Sequence, residues 1–207
     1  MLSEKEILTM QNRQFAAESA LRYFKEVKSV NSPNIPDKVC ELYPQHERGS
    51  NWDHLIVDQY REKYPLSIMR AIFCSLKTGT GRCFEKASIC YSSIACNPRI
   101  ITNSSVIICD LIDYDHTFIL ITGKFIKNLF YKTLKDLSVC TMVLDAWTED
   151  WYFPNLDSIT EYRYNLRHIA DPWQEEIRNL CKHSEFKQND IPLEADVDSD
   201  PKCRPYY

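Results

Sequence analysis

The stretch Ser105-Val106-Ile107-Ile108-Cys109-Asp110-Leu111-Ile112-Asp113-Tyr114-Asp115-His116-Thr117-Phe118-Ile119-Leu120-Ile121 reads as two strands joined by a short polar turn. Residues 105–112 are β-branched and nearly continuous in apolar character, as in a strand covered on both faces. Asp113-Tyr114-Asp115 interrupts the run, and residues 116–121 return as the second strand of an antiparallel hairpin with His116 at its mouth. Gly123 stops that strand. A short amphipathic helix over residues 124–137 follows, then a third strand over residues 139–144, with Asp145-Ala146-Trp147 at its end.

On the N-terminal side of the hairpin the apolar period becomes helical. Ser3 and Glu6 form a capping-box pattern, and Ile7, Met10, Ala17, Leu21 and Phe24 share one face, with only Gln14 out of place, so a helix is expected to about Ser29. Two prolines break the chain at residues 31–36, and residues 37–53 read as irregular. Helical spacing returns over 53–63 and 66–76, the latter opened by Pro65, with Leu66, Met69, Ile72 and Phe73 as its inner face. The turn Gly79-Thr80-Gly81 leads into a helix in which Cys83, Ala87, Cys90, Tyr91 and Ile94 share a face, and Asn97-Pro98 ends it.

Beyond the third strand, residues 148–169 are rich in aromatics but have no period. Asp171 as N-cap and Pro172 at the first helical position open a last helix to about His183. Past Glu185 the acidic residues Asp190, Glu194, Asp196, Asp198 and Asp200 accumulate between prolines, which predicts a disordered tail. The expected fold is α+β: N-terminal helices against a small antiparallel sheet, in one domain over residues 1–184 with a tail over 185–207.

The 207 residues, 44% hydrophobic, suffice for one substantial core. A net charge of −4 argues against broad binding to nucleic acid or to an anionic membrane surface. No apolar segment follows a basic start and no apolar run is long enough to span a bilayer, so a soluble, cytoplasmic protein is expected. The 9 cysteines are odd in number and lack any C-x-x-C pair, which fits reduced thiols, most of them small buried hydrophobes. No zinc site and no other cofactor are expected, because Cys83, Cys90 and Cys96 fall in one helical stretch without two convergent pairs.

One cysteine stands apart. Cys83 follows a glycine-framed turn at a helix start, where unpaired N–H groups stabilise negative charge. A thiol nucleophile needs an imidazole to take and return its proton, and the imidazole needs a carboxylate to hold its orientation. A helix carrying Cys83 against a sheet carrying His116 and Asp145 on neighbouring strands can bring the three together.

Gly81-x-Cys83-x-Glu85-x-Ala87, Asp115-His116-x-Phe118 and Val143-Leu144-Asp145-x-Trp147 together resemble the papain-like and transglutaminase-like Cys-His-Asp enzymes, especially those among secreted bacterial effectors. The likeness spans residues 81–147. It implies Cys83 as nucleophile, His116 as general acid/base, Asp145 as orienting carboxylate and the Cys83 backbone N–H as one oxyanion donor. Papain-like proteases place a glutamine shortly before the cysteine, where this chain has Leu76-Lys77-Thr78-Gly79-Thr80-Gly81-Arg82, so the second donor stays open among Thr80, Arg82 and Gln59. Asp171-Pro172-Trp173 is the rival for the acid, although a helix-cap role accounts for Asp171. Trp147 either covers the His116–Asp145 pair or is a core aromatic, and Glu85 is a helix-dipole partner.

The activity implied is acyl transfer from an amide through a thioester on Cys83, as in a protease, a glutamine deamidase or a transglutaminase. The partner implied is a protein substrate in a host cell reached by a specialised secretion system. The reading of a different class is a non-catalytic interaction module that keeps the fold and binds through residues 147–164 and the acidic tail.

Overall fold

The computed structural model describes residues 2–27, 30–44, 49–97, 100, 104–123, 133–156 and 169–193. Glu6 receives the Ser3 backbone N–H at 2.8 Å and returns its own N–H to the Ser3 hydroxyl, and from this box helix α1 runs over Glu4–Val27. Its inner face holds Met10, Ala17, Leu21 and Phe24, as the spacing predicts, with Ile7 half-buried, but also Ala16, Ala20 and Arg13, whose guanidinium reaches the Ser104 hydroxyl and the Cys140 carbonyl oxygen. The expected irregular stretch over 37–53 is corrected at both ends. A short α2, Asp37–Leu42, starts behind Pro36, and α3, Asn51–Lys63, starts at a capping box between Ser50 and Asp53.

Helix α4 covers Ile68–Thr78, and its phase differs from the sequence reading. Ser67 is the N-cap, accepting the Arg70 N–H, so the helix begins later than Pro65 would start it. The buried positions are therefore Ile68, Ala71, Cys74 and Ser75, while Met69 is 49% and Phe73 42% exposed. Gly79 then adopts φ of 70°, the left-handed cap that a side chain resists. Gly81 is needed for a different reason: a Cβ there would lie 2.8 Å from Glu85 Cβ and 2.8 Å from Ser75 Oγ. Helix α5, Cys83–Ala95, follows directly and is buried over most of its surface.

Among the described residues the sheet has five strands in the order β4-β3-β2-β1-β5, every neighbouring pair antiparallel. The hairpin is β1, Ser105–Leu111, and β2, Thr117–Thr122, in the register Ile108 to Ile119. Strand β3 covers Met142–Asp145, and β4, Asp150–Tyr152, returns from it inside the stretch that shows no period in sequence. Of the helix expected over 124–137, residues 124–132 lie outside the described residues, and the rest holds only a 3-10 turn at Leu134–Asp136.

The last helix, α6, covers Pro172–His183 with Asp171 as its cap, as expected. The tail is corrected over its first residues: Phe186–Gln188 form β5 on the outer edge of β1, with Phe186 fully buried opposite Leu111. Pro192 and Leu193 then give their carbonyl oxygens to the N–H groups of Ile68 and Met69, closing the first turn of α4. Residues 194–207 lie outside the described residues.

Strand alternation sorts the side chains into two layers of core. Ile119, Ile121, Met142, Leu144 and Trp151 face α1 and α5, against Met10, Phe24, Ala87 and Cys90. Cys109, Phe118, Leu120, Val143 and Phe186 face the other way, against Cys181, Ile177 and Leu180 of α6. The sheet is thus covered on both faces, in keeping with the unbroken apolar runs of β1 and β2. Each fully buried Ile, Leu or Phe contributes on the order of 1.5–3 kcal/mol. Among the described residues, no helix is long and apolar enough to cross a membrane.

Candidate active site

Three elements end at one place: α5 begins, β2 begins and β3 ends there. Cys83 is the first residue of α5, so its backbone N–H has no acceptor within the helix. His116 immediately precedes β2 and Asp145 is the last residue of β3. By alternation with Phe118 and Val143, the histidine and the aspartate share the α6 side of the sheet, and Cys83 approaches from the α5 side.

The structure brings His116 and Asp145 into direct contact, Nε2 to Oδ2 at 2.8 Å. The second oxygen of Asp145 accepts the backbone N–H groups of Trp147 at 3.0 Å and Thr148 at 3.2 Å. Both carboxylate oxygens are therefore engaged, and neither the ring nor the carboxylate is free to rotate. The Trp147 indole lies on His116, ring centroids 5.2 Å apart, and meets Trp173 of α6 edge-on at 5.1 Å. Trp147, partly buried, thus stands against the His116 ring on one side and packs on Trp173 on the other.

Cys83 is 4% and His116 6% exposed. The Cys83 Sγ is directed at the Asp115 carbonyl oxygen, 4.0 Å away, while the thiol also lies against the His116 ring. Burial acts to push His116 down, but the Asp145 charge and hydrogen bond, helped by the thiols of Cys181 and Cys83, carry it well above the usual histidine range. The Asp145 carboxylate thus favours the protonated form of the His116 ring.

Asp171 is not part of this group. Its carboxylate caps α6 by accepting the Gln174 N–H at 2.9 Å, and the Gln174 side chain returns the bond to the Asp171 N–H. The three candidates for a second oxyanion donor are engaged to different degrees. Thr80 is buried with its hydroxyl on the Asn31 carbonyl at 3.2 Å, Arg82 is held by Asp58 and His54 through Nη2 while its buried Nε has no partner among the described residues, and Gln59 is exposed on α3. Glu85 has a larger part than that of a dipole partner. It receives the Arg82 N–H at 3.0 Å and both prongs of the Arg61 guanidinium at 2.9 Å, which locks the turn before Cys83 to α3.

Sequence reasoning missed Cys181 and Asn34. Cys181 on α6 is fully buried against His116, and burial pushes its thiol up, with His116 acting in the opposite direction. Its place on one helical face with Trp173 and Ile177 was the available signal. Asn34 accepts the Trp147 indole N–H at 3.0 Å, across a separation no local pattern reveals. Among the described residues, no group of three His, Cys, Asp or Glu side chains is placed to hold a metal ion. A cleft of about 100 Å³ beside α6, lined by Tyr152, Phe153, Glu175 and Arg178 among others, contains none of Cys83, His116 and Asp145.

Comparison of the chain with protein-family models, with curated proteins and with solved structures finds no match in any of the three. The α+β fold and the geometry around His116 stand by themselves.

Proposed function

We propose that this protein is a cysteine-dependent acyl-transfer enzyme of papain-like or transglutaminase-like type, acting on a protein substrate. Cys83 is the nucleophile, His116 the general acid/base and Asp145 the orienting carboxylate. The observation that carries the reading is the buried 2.8 Å bond from His116 to Asp145, with the ring also against a thiol at the first position of a helix. With Nε2 on the carboxylate, Nδ1 is the nitrogen left for proton exchange with sulfur.

In the first half-reaction the Cys83 sulfur attacks the amide carbon, and the pair of electrons displaced onto oxygen is met by the Cys83 backbone N–H. His116 then gives a proton to the leaving amine, and a thioester remains on Cys83. Water resolves the thioester in a protease or deamidase and an amine does so in a transglutaminase. The triad is common to all three, so the chemistry of the acceptor is decided by parts of the protein that bind substrate. The resemblance to secreted effectors makes a host protein the proposed substrate.

A second reading, a non-catalytic interaction module that keeps this fold, is favoured by one observation. Cys83 is nearly enclosed and its sulfur is directed at a backbone carbonyl. Site-resolved labelling separates the two. Cys83 in the folded protein is expected to react with iodoacetamide faster than the exposed Cys96, and His116→Ala is expected to remove that advantage. Equal labelling of Cys83 in wild type and His116→Ala sinks the enzymatic reading. Intact-mass analysis of candidate substrates then distinguishes a cut chain, an amide turned to acid and an amine adduct.

A further inference from the structure

The segment Asn31-Ser32-Pro33-Asn34-Ile35-Pro36 spans the gap between the two halves of the candidate site. At one end, Asn31 pairs with the turn before the nucleophile: its N–H goes to the Gly79 carbonyl at 2.9 Å, and its carbonyl receives the Gly81 N–H at 3.0 Å. Three residues on, Asn34 is bonded to Trp147, whose indole lies on His116 and whose backbone N–H holds Asp145. Ile35 continues into a cluster with Val39 and Trp173. Asn34 is therefore set between the start of α5 and the cover of the imidazole.

Its carboxamide has a defined orientation. An indole N–H can only donate, so the atom 3.0 Å from Trp147 Nε1 must be the Asn34 oxygen. The Ser32 hydroxyl, fully buried, donates to the same oxygen at 2.8 Å. With the oxygen fixed by two donors, the NH2 group is turned to the opposite side, and its two N–H groups have no acceptor among the described residues. Pro33 and Pro36 restrict the backbone on either side, so the donor is pre-set rather than recruited.

We infer that Asn34 supplies the second oxyanion donor, its Nδ2 acting with the Cys83 backbone N–H on the substrate carbonyl oxygen. The inference rests on Cys83 being the acyl-accepting nucleophile. The step it serves is addition: a sulfur–carbon bond forms, the carbonyl π pair moves onto oxygen, and the two N–H groups bind the resulting oxyanion. Collapse restores the carbonyl and expels the leaving group. A residue far upstream of the nucleophile thereby takes the place of the glutamine missing from residues 76–82. Its carboxamide lies on a separate segment braced against the nucleophile turn.

The test compares two reagents on one sulfur. Acetylation of Cys83 by p-nitrophenyl acetate passes through the oxyanion and expels p-nitrophenolate, whereas alkylation by iodoacetamide is a displacement with no oxyanion. Rates at Cys83 are read by peptide-resolved mass spectrometry on the full chain. In Asn34→Ala the acetylation rate is expected to fall by about 10²-fold, the loss seen when one such donor is removed, with alkylation little changed. Asn34→Asp keeps the acceptor for Trp147 and Ser32 but lacks the donor. It is expected to lower the acetylation-to-alkylation ratio as well, and it carries the test if the alanine variant does not fold. An unchanged ratio in these variants overturns the assignment, including the case in which both rates fall together because Trp147 has shifted. If wild-type Cys83 reacts with neither reagent faster than Cys96, the nucleophile itself is wrong and the donor falls with it.

Discussion

Replacing Arg61 by methionine tests whether α3 holds the nucleophile turn. The Glu85 carboxylate is 2% exposed and takes two charge-assisted bonds from Arg61, each 2.9 Å, while Arg61 itself is 30% exposed. Removing the guanidinium leaves a buried carboxylate with only the Arg82 N–H, and breaking such a pair on one side costs about 3–5 kcal/mol. Water can follow into the space left by a partly exposed arginine, so the low end, about 3 kcal/mol, is expected. In a chain of this size each kcal/mol moves the melting midpoint by roughly 2–4 °C, giving a drop of about 6–12 °C. Thermal melts followed by circular dichroism measure it, and the Arg61→Met/Glu85→Gln double variant is expected to lose less than the two single losses combined. A single variant melting within about 2 °C of wild type would refute the idea that this pair anchors the turn.

The remaining expectations concern the site and its glycines. Asp145→Asn is expected to abolish the preferential reactivity of Cys83, since the amide can present the wrong group to His116, whereas Asp171→Ala is expected to leave reactivity intact. The latter loses a helix cap and about 1 kcal/mol, read from the urea midpoint. Because the folded His116 is raised above the unfolded value, its contribution to stability is complete below about pH 6.5 and is lost as the pH rises through the folded pKa. Urea titrations across that range should show wild type losing its advantage over His116→Gln as pH increases, and a growing advantage would contradict the sign. Gly79→Ala should cost about 1–2 kcal/mol for the left-handed conformation, and Gly81→Ala more, because Glu85 Cβ and Ser75 Oγ stand where the methyl must go.

What the sequence revealed divides along local and distant causes. The hairpin, the long first helix, the Asp171-Pro172 helix start and the strand-end position of Asp145 all follow from patterns within a few residues, and the structure has them. Helix α4 was misphased because Pro65 is a valid start signal and Ser67 an equally valid cap two residues later; only the capping of Ile68 and Met69 by Pro192 and Leu193 decides between them. Strand β5 was hidden by its neighbours, whose charge and prolines outweigh the single buried Phe186. In the site, the order of Cys83, His116 and Asp145 was legible. Cys181 was not, because a cysteine on an apolar helix face looks the same whether it meets a leucine or an imidazole. Asn34 was illegible for a simpler reason: its partner is brought to it by the fold.

The edge position of β5 has a consequence for how the chain is made. Strands β1 to β4 are synthesised in an order that lets each pair with the one before it, so the hairpins can close while the chain is still emerging. The outer edge of β1 cannot close, since its partner lies near the end of the described chain. Until residues 186–188 arrive, a strand of valine, isoleucine and leucine carries one row of unpaired backbone groups, the arrangement that invites pairing with another nascent copy. A chain that stalls or is cut before Phe186 is therefore an aggregation hazard, and residues 186–188 act as the latch that closes the 109–111 end of that edge.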